Sequence, residues 1–272
     1  MSTRLAPLCI LAAAACSTVP GTGRSQLTFA LSPAQEIQLG EEAYREQLQG
    51  AKLVRSGPQY EMLMRIGPRI AQAAEHLYPD SLATEFEWEF SLIDDPKTVN
   101  AWCLPGGKVA VYTGLLPVTR DEASLAVVVG HEVAHAIARH GAERISQQTG
   151  LQGLLFAGGQ LIGLSDMSAS TQELTLQALG LGAQVGVLLP FSRTHESEAD
   201  ELGLYMSADA GYEPRAAIGL WERMAAASGG SGPPEFLSTH PSEGTRIQRL
   251  EEHMPKALRY YNKARREGRA VE

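Results

Sequence analysis

Cysteine is scarce in this chain. Of its 272 residues only Cys9, Cys16 and Cys103 carry thiols. Two of these sit in the N-terminal segment, so no disulfide framework holds the fold, which must rest on core packing or on a metal. A basic excess is missing as well: 23 Lys and Arg stand against 31 Asp and Glu, a formal net charge of -8. That balance argues against phosphate-backbone binding and against nucleic acid as a partner. No internal repeat stands out. With 44% hydrophobic residues the chain buries one substantial core, but it is short for two full domains plus linkers.

Long apolar runs are few. The first, in "MSTRLAPLCILAAAACSTVPGTG", extends from about Leu5 to Ala15 behind Arg4. It is too short to span a bilayer and reads as a secretory signal. Cys16 directly behind "LAAAA" resembles a bacterial lipoprotein cleavage site, so Cys16 is expected as a lipidated N-terminus that anchors the protein to a membrane. Ala13 stands where such sites usually carry Leu, which leaves a plain Ala-x-Ala cut and a soluble periplasmic product as the alternative. Ser17 then favours the periplasmic side of the outer membrane. The expected organisation is a signal over 1–15, a flexible tether over 16–31 and one domain over 32–272. The second long apolar stretch, 151–190, is interrupted by Asp166, Glu173, Gln177 and Gln184. It is expected as a core helix plus a mobile cover over a cleft rather than a membrane span.

What is present alternates between two periods. Ser32, Pro33 and Gln35 fit N-cap, first-turn proline and capping-box partner of a helix over 33–48. Met62, Leu63, Ile66 and Ile70 recur at helical spacing, with Pro68 expected to kink or divide that helix. Then Phe86, Trp88, Phe90 and Leu92 alternate with Glu85, Glu87, Glu89 and Ser91, the pattern of a half-buried strand. "NAWCLPGGKVAVYTGLLP" reads as a second strand pair interrupted by Pro105, Gly106 and Gly107. Thr119 and Glu122 form a capping box for a helix to about Gln147. Ser192 is expected to cap a helix through Ala208, with Gly211 beyond its end. Pro214 starts another, "SGGSGPP" is a flexible loop, and a basic amphipathic helix closes the chain. The fold class is α+β, mainly helical, with a small sheet before the helix that carries the chemistry.

That chemistry lies in "VVVGHEVAHAIARH", residues 127–140. On a helix, His131 and His135 stack one turn apart and can reach one ion. Glu132, rotated by about 100°, flanks the ion and can hold water as general base. Zn2+ suits the set because it accepts nitrogen and oxygen ligands, keeps a position open and lowers the pKa of water it binds to about 7. A chance H-[DE]-x-x-H arises in about one chain in fifty of this composition, which favours the metal reading. The extended pattern ending x-x-G-x-x-H is absent, because Ala138 and Gly141 occupy its positions. His140 is therefore expected as a helix-end histidine at the surface. In "SRTHESEAD", Glu196 and Asp200 are four apart, so Glu196 can bind the ion while Asp200 accepts the second N–H of a ligand histidine. His195 and Glu198 are expected to be solvated, although a one-residue shift in helix phase would exchange the roles.

"HEVAHAIARH", the S-R-x-x-E-x-x-A-D spacing, "STHPSEGTRI" and the N-A-x-x-x-P-G-G segment together resemble the zinc metallopeptidases of the HtpX, BepA and LoiP type, peptidase family M48. The likeness covers roughly Ser32 to Leu250 and is nearest the LoiP-type envelope lipoproteins. It implies a zincin-like domain in which His131, His135 and Glu196 bind one Zn2+, Glu132 is the base and Asp200 orients a ligand. It also implies that His240 sits near the metal, as a fourth ligand of a self-inhibited state or as a stabiliser of the tetrahedral intermediate; a His-Pro pair in a polar loop could equally be exposed. Asn100, Pro105 and Gly106 would border the cleft, where a strand edge pairs with extended substrate. Cys103 departs from the apolar residue expected there but can pack as a small hydrophobe. The expected function is an endopeptidase for unfolded or misassembled cell-envelope proteins. The rival is a chaperone-like assembly factor for outer-membrane proteins with a mainly regulatory zinc site. The intact Glu132 favours the enzyme, since a structural site needs no base.

Overall fold

Local signals start most of the helices. In the computed structural model, which describes residues 16–161, 191–227, 235–240 and 245–271, Ser32 and Gln35 cap each other and open α1, Pro33–Leu48. The helix α2, Pro58–Leu77, buries Leu63, Ile66 and Ile70 and runs through Pro68 without dividing. Burial of one whole face outweighs the cost of about 3 kcal/mol for an interior proline. The expected signal over 1–15, the loop over 228–234 and most of the cover expected over 151–190 lie outside the described residues.

The small sheet consists of β3, Leu53–Val54, β4, Glu89–Ile93, β5, Ala101–Leu104, and β6, Lys108–Tyr112. Their order is β3-β4-β6-β5. β4 and β6 are parallel, and the outer pairs are antiparallel. The alternating strand starts four residues later than the pattern predicts, because Leu82–Glu85 form a 3-10 turn capped by Ser81. Ser91 then breaks the alternation: it is buried, hydrogen-bonded to the Tyr44 hydroxyl at 2.8 Å.

Two expectations fail around the central helix. Thr119 ends the short α3, Leu116–Thr119, and is buried. Asp121 caps α4, Glu122–Ile137, by accepting the Ser124 N–H. The predicted single helix to Gln147 is also two. Arg139 adopts φ 58, its guanidinium paired with Glu36 and donating to the Leu31 carbonyl, and α5, His140–Leu161, starts in a new direction. From Ser124 to Ile137 every residue of α4 is buried, as befits a helix apolar all round.

Four helices complete the described fold: α6, Arg193–Asp209, capped by Ser192; α7, Ala216–Ala227; α8, Glu235–Thr239; and α9, Arg246–Arg266. α4 and α6 touch backbone to backbone. A Cβ on Gly203 would lie 2.6 Å from the His131 nitrogen, and one on Gly130 would lie 2.8 Å from the Gly203 carbonyl oxygen. Two facing glycines thereby bring the two motif-bearing helices to the separation that small side chains require.

Residues 16–31, expected as a flexible tether, carry a hairpin instead. β1, Cys16–Thr18, and β2, Ser25–Leu27, pair antiparallel, with Val19 buried in the main core. Gly21 has φ 77 and lies so close to Tyr78 and Leu202 that a Cβ would meet them at 2.6 and 2.9 Å, so the turn is seated on α2 and α6. Among the described residues, no helix is long and apolar enough to cross a membrane.

Candidate metal centre

α4 delivers His131 and His135 one turn apart, α6 delivers Glu196 from its first turn, and His240 follows α8. One ligand atom from each of the four lies within 4.8 Å of the others, and all four residues are buried. His131 Nε2 is 3.2 Å from His135 Nε2 and 3.2 Å from His240 Nδ1. Glu196 places one oxygen 3.4 Å from His135 Nε2 and 3.0 Å from His240 Nδ1. Its other oxygen is 3.5 Å from His131 Nε2. A tetrahedral Zn2+ with bonds of about 2.0–2.1 Å sets its donor atoms roughly 3.3 Å apart, so the spacing fits. Three imidazoles aimed at one point also leave more lone pairs than protons can satisfy, which a cation relieves.

The electrostatics agree. Burial raises the Glu196 carboxyl, but His240, His131 and His135 outweigh it and hold the group well below the usual carboxylate range. Burial disfavours a charged His131, yet hydrogen bonds to Asp200 and Glu196 outweigh it and raise the ring to about 9. His135 is pushed well below its ordinary value by burial. Glu196 is thus held ionised and His135 neutral, the protonation states that metal ligands require.

Glu132 lies beside the group, its Oε1 buried without a hydrogen-bond partner and 3.4 Å from His240 Nε2. Burial raises its pKa, the direction a general base requires. Asp200 sits behind His131, with Oδ1 3.0 Å from Nδ1. Arg246 Nη2 donates to the same Asp200 oxygen at 2.6 Å, while its guanidinium lies 3.3 Å from the centre of the Trp221 ring.

β5 borders the site: Cys103 is near enough to Glu132 for that charge to add to burial in raising its thiol. Asn100 is buried, donating from Nδ2 to Glu235 at 3.2 Å. Pro105 and Gly106 are not brought to the ligand group. They turn β5 into β6 against Gly40 and Ile37 of α1.

Three residues expected at the surface are buried. His140 Nδ1 is 3.0 Å from His135 Nδ1, and its Nε2 is 3.2 Å from Glu198. His195 Nε2 is 3.0 Å from Glu143, with its ring stacked on His140 at 4.4 Å. The break at the positive-φ Arg139 lets His140 meet His135, a contact that the i, i+5 spacing of a single continuous helix would not give. No local pattern marks Arg24 or Arg246, whose partners are far away in sequence.

A buried His, His, Glu and His set beside the buried Glu132 carboxylate defines a metallohydrolase-type centre. The comparisons agree: the model of peptidase family M48 matches residues 62–254, and the chain belongs to that family, whose metal is zinc. Over 189 residues it is 40% identical to the mitochondrial metalloendopeptidase OMA1 of Schizosaccharomyces pombe, covering 69% of this chain and 53% of that one. The corresponding protein of Arabidopsis thaliana is 42% identical over 176 residues, 64% of this chain and 33% of its own. The beta-barrel assembly-enhancing protease of Escherichia coli is 29% identical over 234 residues, 85% of this chain and 46% of its own. The chain thus spans about half or less of the length of these relatives. The two relatives of higher identity are mitochondrial, which overturns the expected placement as a lipoprotein anchored through Cys16 on the periplasmic side of a bacterial outer membrane. A LoiP-type assignment within the family likewise has no support here.

Proposed function

We propose that this chain is a zinc-dependent endopeptidase acting on unfolded or misassembled protein segments, with Glu132 as general base. The observation that carries it is the Glu132 carboxylate, buried, without a hydrogen bond at Oε1 and adjacent to a four-donor metal group. His131, His135 and Glu196 would hold the ion. When bound, zinc supplies Lewis acidity toward a scissile carbonyl and toward water. Glu132 takes the proton of the attacking water and returns it to the leaving amine, and its raised pKa suits both transfers. Asp200 keeps His131 in the tautomer that leaves Nε2 free for the ion.

The arrangement is closed. His240 occupies the fourth donor position that a catalytic site keeps open. Phe236 N–H donates to the Val99 carbonyl at 3.1 Å, so α8 covers the approach to the β5 edge where extended substrate would pair. Our reading is that α8 and His240 withdraw together, freeing both the edge and the fourth position. His240 then serves as a removable ligand. The closed geometry is also what a rival role would need, that of an assembly factor whose zinc is mainly regulatory.

Purified protein on unfolded casein separates the two, with Glu132→Gln as the control. Wild type is expected to cleave, and Glu132→Gln to keep its zinc while losing about 10²–10⁴-fold in rate. Equally poor cleavage by both, with zinc retained and no gain in a His240→Ala variant that opens the fourth position, would sink the peptidase reading and leave the regulatory one.

A further inference from the structure

The family motif accounts for what holds His131, but it says nothing of what holds His135. A ring that offers Nε2 to an ion carries its proton on Nδ1 and needs an acceptor there. For His135 that acceptor is His140 Nδ1 at 3.0 Å. His140 must then be protonated on Nε2, where Glu198 waits at 3.2 Å. Only one tautomer satisfies all three residues, and it leaves both rings neutral.

Glu198 is in turn fixed from outside α6. Arg24 Nε donates to both of its oxygens, at 2.9 and 3.0 Å, and the Thr22 hydroxyl donates to it at 3.0 Å. The far side of the same guanidinium grips Glu143 with two further bonds, at 2.9 and 2.6 Å. Arg24 belongs to the β1–β2 hairpin, whose turn is seated on Tyr78 and Leu202 at Gly21 and whose exit is tied to α5 by the Ala30 N–H donating to Ser146 at 3.1 Å. A planar fork between two carboxylates tolerates little displacement.

We propose that Arg24 is a positioning residue of the metal centre: through Glu198 and His140 it orients the His135 ring, making the N-terminal hairpin part of the site. The inference rests on the zinc reading above, and its failure can be told from the failure of that reading.

The test uses the full chain loaded with Zn2+ or Co2+. Zinc affinity is measured by competition with a chromophoric chelator, the visible spectrum of the Co2+ form reports ligand geometry, and thermal unfolding of the metal-free protein reports structure alone. Arg24→Ala is expected to weaken zinc about tenfold and to move the Co2+ bands. Glu198→Gln should do at least as much, and the double variant no more than Glu198→Gln alone, because the two act in series. Arg65→Ala, which removes an exposed pair with Glu122, should leave affinity and spectrum unchanged. Zinc affinity within twofold of wild type and an unmoved spectrum in Arg24→Ala would overturn the proposal, whatever happens to the unfolding temperature. Should Arg24→Ala not fold, Glu198→Gln decides by the same criteria. If wild type itself takes up no stoichiometric zinc, the metal reading falls and the proposal falls with it.

Discussion

The two ligand histidines of α4 are backed in different ways. Behind His131 the chain of contacts is one step long: Asp200 accepts from the ring and Arg246 closes the chain, with side chains 8% and 3% exposed. Behind His135 it is two steps long, through His140 and Glu198, and it ends on Arg24, which is 28% exposed and sits on a short hairpin. Both satisfy the same requirement, an acceptor for the second ring N–H. The routes differ because His131 lies in mid-helix opposite α6, whereas His135 lies in the last turn of α4, where the helix ends and the next one supplies the partner. The inner chain ends on a side chain buried in the core, and the outer one on a part-exposed arginine of a short hairpin.

The change expected to break both chains together is Gly203→Ala. Its Cβ would meet the His131 backbone at 2.6 Å, so α4 and α6 must separate, and overpacking of this kind costs about 1–3 kcal/mol. Thermal unfolding should fall accordingly, and zinc affinity with it. A variant of unchanged stability would show that the helices do not need this close approach.

Next in size is the contrast between the two carboxylates. Asp200→Asn acts on His131 directly and removes one of the two carboxylates that face the buried Arg246, so its loss of zinc affinity should lie toward the upper end of the 10–100-fold range for such partners. Glu198→Gln acts one residue further away and should cost about tenfold. Chelator competition on both variants sharpens the comparison: equal losses would mean that distance from the ligand does not matter here.

Legibility in the sequence follows the same division. Contacts within one helix turn are visible as spacing. His131, Glu132 and His135 show themselves through i, i+1, i+4 geometry, and Glu196 with Asp200 through i, i+4. Ser32, Gln35 and Ser192 were readable as caps because a capping bond spans only two or three residues. The outer chain was not readable. The break at Arg139 depends on Glu36 and Leu31 from α1 and its approach, and nothing within 127–147 announces it. Without that break a continuous helix points His140 to solvent and leaves Glu198 without its partner. Arg24 is 174 residues from Glu198, a pairing only the fold creates. The envelope placement failed for another reason: a short apolar run before a cysteine is a weak pattern, and the likeness to mitochondrial relatives draws on most of the chain.

The smallest expected effect concerns pH. Burial raises the Glu143 carboxyl, but the Arg24 hydrogen bonds and His195 outweigh it, so its folded pKa lies below the ordinary 4.5. Folding therefore favours the ionised form. The stability this contributes is present above the ordinary value and is lost as pH falls through the lower folded one. Metal-free wild type should lose unfolding temperature as pH falls below the ordinary carboxylate value of 4.5, partly because the Arg24 fork opens. In Glu143→Gln the amide cannot titrate, so the variant should start lower at neutral pH and fall less steeply over that window. Because ligand protonation is common to both proteins, the difference between the two curves isolates the outer chain. Parallel curves would mean that the ionised Glu143 gains nothing from Arg24 and His195 and that the hairpin is held by its other contacts.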